Sequence, residues 1–119
     1  MIALLKRTGI RKPSLPIASP VAGAAIALYN ITPGRSAIIR KIMWHNACGA
    51  NSSLSLGTGL AGAFAAVLPA IVTLSGLDGQ LNEADLPAVE IPYTAALPSI
   101  TFQSTIAGIT VTLEVEEIG

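Results

Sequence analysis

One cysteine and one histidine are the whole supply of soft and imidazole ligands in this 119-residue chain. A single thiol cannot close an internal disulfide, and no Cys and His residues stand at zinc spacing, so neither a disulfide framework nor a metal staple is expected. Charge is also scarce, at 12% of residues, about half the usual share for a soluble domain. Aromatic residues make up 4%, leaving only Tyr29, Trp44, Phe64, Tyr93 and Phe102 to stack on a sugar or a base. At the N-terminus a short apolar run precedes Lys6 and Arg7, the reverse of a signal peptide and too short for its apolar core. No secretory signal is expected.

What the chain does have is apolar surface. Hydrophobic residues reach 51%, with 11 Gly and 8 Pro for turns, which excludes intrinsic disorder and allows one small domain. So small a domain leaves much of its surface exposed, so the apolar excess is expected to be covered by copies of itself, as a trimer or similar ring, or by a partner. The formal net charge of zero conceals a division. The bases Lys6, Arg7, Arg11, Lys12, Arg35, Arg40 and Lys41 all precede the acids Asp78, Glu83, Asp85, Glu90, Glu114, Glu116 and Glu117. These halves either pair within one fold or meet between subunits.

Residues 1–23 contain four of the bases together with Pro13, Pro16 and Pro20, which forbid a long helix or a central strand. They are expected to form an extended basic arm, with residues 24–119 as the folded domain. From residue 24 the period becomes two. Ile26 and Leu28 alternate with Tyr29 and Ile31, and Pro33-Gly34 makes a turn. Residues 36–45 read as a long strand, apolar on both sides apart from Arg40 and Lys41. Leu54 and Leu56 mark a short strand, and residues 67–74 another, bent at Pro69. Residues 75–85 read as a polar connection. Ile100 and Phe102, a turn at Ala107-Gly108, and then Ile109, Val111, Leu113 and Val115 alternating with Thr110, Thr112, Glu114 and Glu116 describe a hairpin with one buried and one polar face. The fold class that follows is all-β: an antiparallel, jelly-roll-like sandwich with an N-terminal arm.

Residues 59–77 are uncharged and as long as a bilayer-spanning helix, but Gly59, Gly62, Gly76 and Pro69 oppose insertion, and a Gly/Ala loop followed by a strand is the expected form. Gly57, Gly59 and Gly62 match a dinucleotide fingerprint by letter. Pro69 follows too soon for the helix that would face a pyrophosphate, so no nucleotide is expected. His45 and Cys48 make a conceivable nucleophile pair without an adjacent orienting carboxylate, and polar packing at a strand end is the plainer account. Asp78, Glu83, Asp85 and Glu90 lack the alternating oxygens of a calcium loop. No catalytic set, metal or cofactor is expected, and neither nucleic acid nor membrane is a favoured partner.

The run from Leu28 through Tyr29, Asn30, Ile31, Thr32, Pro33, Gly34 and Arg35 to Ile42, the loop Asn46-Ala47-Cys48-Gly49-Ala50, and the closing strand from Gly108 resemble a family of small tailed-phage virion proteins. The resemblance implies a non-enzymatic bacteriophage structural protein, made in the host cytoplasm and located in the virion. It would decorate a capsid or join a tail or neck, with a major capsid or other virion protein as partner. On this reading Lys6, Arg7, Arg11 and Lys12 anchor the arm to a neighbour, and Glu114, Glu116 and Glu117 are the acidic counterparts. The alternative is a β-sandwich that recognises a receptor or glycan.

Overall fold

The computed structural model describes residues 9–119. Eleven strands follow one another in these residues: β1 (Gly9–Pro13), β2 (Ile17–Ala18), β3 (Ile26–Asn30), β4 (Ser36–Asn46), β5 (Ser52–Thr58), β6 (Ala65–Ala66), β7 (Ile71–Thr73), β8 (Asp78–Leu81), β9 (Glu90–Pro92), β10 (Ser99–Ser104) and β11 (Ile109–Ile118). They form two antiparallel sheets packed face to face. In the first sheet, β1 and β2 lie end to end along β11, which pairs with β4, which carries β8 and β9 on its far edge. In the second the order is β3, β10, β5, with β6 and β7 sharing the far edge of β5.

The period-two strands form the core as expected, but the expected hairpin does not form: β10 pairs with β3 and β5 in the second sheet and β11 with β1, β2 and β4 in the first, so the turn at Ala107-Gly108 carries the chain from one sheet to the other. Val111, Leu113 and Val115 of β11 and Leu54 and Leu56 of β5 are fully buried, as are Ile100 and Phe102 of β10, so one face of each sheet meets the other. The expected strand at 36–45, apolar on both sides, is resolved by a bulge. Register shifts so that Val115 faces Ile39 while Glu114 faces Lys41, leaving Arg40 as the extra residue. Below the bulge Ala37 and Ile39 point inward; above it Ile42 does. One strand thus uses both of its apolar phases.

Short strands occur within the expected polar connection and the expected extended arm. Within 75–85, Asp78–Leu81 pairs with β4, and Gly9–Pro13 and Ile17–Ala18, both within the expected arm, pair with β11. Prolines survive on this edge because serine hydroxyls replace missing ladder bonds: Ser14 Oγ accepts from the Leu113 N–H at 2.7 Å and Ser19 Oγ from the Ile109 N–H at 3.1 Å. The uncharged stretch 59–77 contains a 3-10 turn at Ala61–Ala63 followed by β6 and β7. Among the described residues no helix is long and apolar enough to cross a membrane.

Trp44 lies opposite Val111 and Gly79 and packs against the core. A β-carbon on Gly79 would come within 2.3 Å of the indole ring, so only glycine lets the ring lie over β8. Gly79→Ala is expected to destabilise the domain by about 1–3 kcal/mol through this overlap. Urea unfolding followed by Trp44 fluorescence measures it; an unchanged midpoint would show that the ring is free to move away.

Candidate functional site

The adjacent bases on β1 are separated by the pleat. Arg11 lies opposite Glu116 on the outer face of the first sheet, and Lys12 lies opposite Val115, on the face turned to the core. On the outer face the Arg11 guanidinium donates to Glu83 at 2.7 Å and to Glu114 at 3.0 Å, while Arg40 donates through Nε to Glu116 at 2.8 Å. The network crosses the sheet from β1 through β11 and β4 to the 3-10 turn Glu83–Asp85. Hydrogen bonding from Arg11 holds the Glu83 carboxyl below its usual range. Arg11, Glu83 and Glu114 are about half exposed, so solvent screens their contacts, whereas Arg40 and Glu116 are more covered and their contact is screened less.

Inside, the carboxylate of Glu117 is fully buried. It accepts hydrogen bonds from Lys12 Nζ at 2.9 Å, the Tyr29 hydroxyl at 2.6 Å, the Thr32 hydroxyl at 2.7 Å and the Thr32 N–H at 3.0 Å. Burial pushes its pKa up, but the bonds from Tyr29, Thr32 and Lys12 together outweigh it and bring the value down to about 2. Burial, then the bond to this carboxylate, pushes the Tyr29 phenol upward, so it stays a donor. One charge thereby joins β1, β3, the turn after β3, and β11.

Of the residues expected to bind a partner, Arg11, Lys12, Glu114, Glu116 and Glu117 therefore meet one another within one chain. Lys6 and Arg7 lie outside the described residues. Glu83, Arg40, Tyr29 and Thr32 complete the two networks and were not among the expected residues. Alternation along β11 places Glu117 on the face of Val111, Leu113 and Val115, the one signal in the sequence for its burial.

The other candidate motifs find structural partners. His45 Nδ1 pairs with Asp78 Oδ1 across β4 and β8, and Cys48 Sγ donates to the Ala107 carbonyl at 2.7 Å. Asn46 is buried, donates to the carbonyls of Ala50 and Thr73, and accepts from the Cys48 N–H, fixing the loop that holds the cysteine. In the glycine motif, a β-carbon on Gly57 would lie 2.0 Å from the Ala65 carbonyl oxygen, and Gly59 has φ +84°, so both glycines serve the close return of β6. Among the described residues no three His, Cys, Asp or Glu side chains group closely enough to hold a metal ion.

Because folding depresses the Glu117 pKa, its stabilisation is fully present above the unfolded value of 4.5 and is lost as pH falls toward 2. That contribution is roughly 3 kcal/mol. Glu117→Gln is expected to cost about 2–4 kcal/mol at pH 7 and to flatten stability between pH 4.5 and 2. Urea titrations of both proteins at pH 7 and pH 3 measure this. Parallel pH profiles would show that the carboxylate is not the anchor.

No protein-family model matches the chain, and no curated protein matches it. Among solved structures, a chain from Bacillus endospore appendages, described as a novel family of disulfide-linked pili, shares the fold with a TM-score of 0.55 at 10% identity, covering 95% of this chain and 89% of that one. This corrects the bacteriophage reading, including capsid decoration and a virion trimer, since the matching structure is a bacterial appendage protein. The turn residues behind that reading have local explanations: Thr32 binds Glu117, Gly34 takes φ +84°, and Asn46 is a buried loop anchor. Such turn chemistry serves β-sandwiches in general. What the likeness shows is the fold.

Proposed function

We propose that this chain is a non-enzymatic structural subunit that associates with copies of itself into an extracellular, pilus-like appendage. The observation that carries the reading is the fold likeness to an appendage protein over nearly the whole of both chains. A finer fold description accompanies it: with β1–β2, β6–β7 and β8–β9 each counted as one broken strand, the order in both four-stranded sheets supports a jelly roll.

The surface supports association. Leu15, Val21 and Val72 are 77%, 58% and 67% exposed, large apolar side chains that a neighbouring copy would cover. The N-terminal segment is the proposed link between subunits, with Lys6 and Arg7 as its anchoring charges. Arg11, Lys12 and their acidic partners fix its base to β11. Covalent linkage has a strict limit here, because one thiol per chain, Cys48, joins two chains at most and cannot propagate. Contacts along the assembly would be non-covalent.

Light scattering and electron microscopy of the purified full chain at low and high salt are expected to show multimers, weakened by salt to the extent that charge joins them. Removing residues 1–8 is expected to leave the β-type circular dichroism intact and abolish the multimers. A monomer at both salts would refute assembly by this chain alone, and normal assembly of the shortened chain would refute the N-terminal link.

A further inference from the structure

The sandwich is open along the side where β6 and β7 of the second sheet face β8 and β9 of the first. A seam of two small cavities runs there, one of about 150 Å³ beside Leu68, Ile71 and Leu86 and one of about 190 Å³ beside Val67, Val89 and Ile91. Leu68 and Ile91 belong to the buried core, while Val67, Ile71, Leu86 and Val89 are packed on it and only partly covered. Asp85 lines the first cavity and Glu90 the second. Pro69, Pro87 and Pro92 interrupt both edges, so the backbone offers little to an added strand. Apolar sockets with carboxylates at the wall are what remains.

The eight residues before Gly9 have the matching chemistry. Ile2, Leu4 and Leu5 are apolar, and Lys6 and Arg7 follow at once. Their point of departure is fixed by register: Gly9 lies opposite Ile118, Ile118 opposite Ser36, and Ser36 opposite Pro92. The N-terminal segment therefore leaves the sheet on the same row as β9, at the opposite edge, three strand spacings or about 14 Å away. Copies placed side by side in one orientation would bring the segment of each to the seam of the next. Eight extended residues reach about 26 Å, enough to cross that junction.

We infer that the seam between β6–β7 and β8–β9 is the docking groove for residues 1–7 of a second copy, whose aliphatic side chains fill the cavities while Lys6 and Arg7 lie toward Asp85. Plug and socket occupy opposite edges, so the contact is heterologous and repeats from copy to copy. This inference rests on the self-association reading and assigns its contact surface.

Cysteine cross-linking of the full chain tests it. In a Cys48→Ser background, Leu4→Cys combined with Val89→Cys should give, on oxidation, a non-reducing ladder of dimers, trimers and larger species, whereas either substitution alone should stop at dimers. A monomer of altered mobility would mean that each chain fills its own seam, overturning the inference. Absent cross-links in a sample that light scattering shows to be assembled would overturn the groove and leave self-association standing; absent assembly would overturn both. Asp85→Asn, which keeps an acceptor for the Asn82 N–H, supplies a variant without change at the seam floor. It is expected to raise the concentration needed for assembly about tenfold at low salt, with little effect at high salt, and an unchanged value would count against the groove.

Discussion

The buried carboxylate of Glu117 is the constraint on which the arrangement of this domain depends. An ionised group inside a sandwich is costly, and it is tolerated only because Lys12, Tyr29 and Thr32 supply four hydrogen bonds to it. Those donors come from β1, β3 and the following turn, so satisfying one charge positions the N-terminal edge strand and joins the two sheets. It also specifies register. A one-residue slip of β11 would turn Glu117 outward, bury Glu116 and leave Lys12 without its partner.

The charge division along the chain becomes a feature of one sheet. Arg11 and Lys12 of β1 and Arg40 of β4 flank the acidic strand β11 and pair with it, so part of the charge divided along the sequence is matched within one chain. The strands of the second sheet carry no charged residue. The two broad faces therefore differ in chemistry: an ion network on one, and small uncharged side chains such as Ala27, Ser53, Ser55 and Gln103 on the other. Unlike faces and unlike edges are what the proposed heterologous contact between copies would require.

Polar groups in the interior are closely matched to partners. Asn46 and Thr73 are buried and bonded to each other and to backbone, Ser14 and Ser19 complete ladders interrupted by proline, and among the described residues no buried side-chain nitrogen or oxygen lacks a partner. In a domain this small, a lost hydrogen bond would be a large share of the total stability. The closeness of this accounting explains how short, broken strands persist at the edges.

By itself the sequence determined the all-β class, the two strands β10 and β11 but not their separation into opposite sheets, and the inward positions of Leu54, Leu56, Val111, Leu113 and Val115. These follow from period-two patterning and from proline and glycine geometry, which act within a few residues. Only the tertiary structure decided the rest. The strands Gly9–Pro13 and Asp78–Leu81 have no apolar pattern of their own and exist because long strands β11 and β4 present free edges to them. The bulge at Arg40 reconciles two hydrophobic phases that the sequence left in conflict. Glu117 followed the buried phase all along, yet its burial depends on Lys12, Tyr29 and Thr32, more than eighty positions away. Local patterning can say which face a residue takes, but only long-range contacts can make a charge stable there.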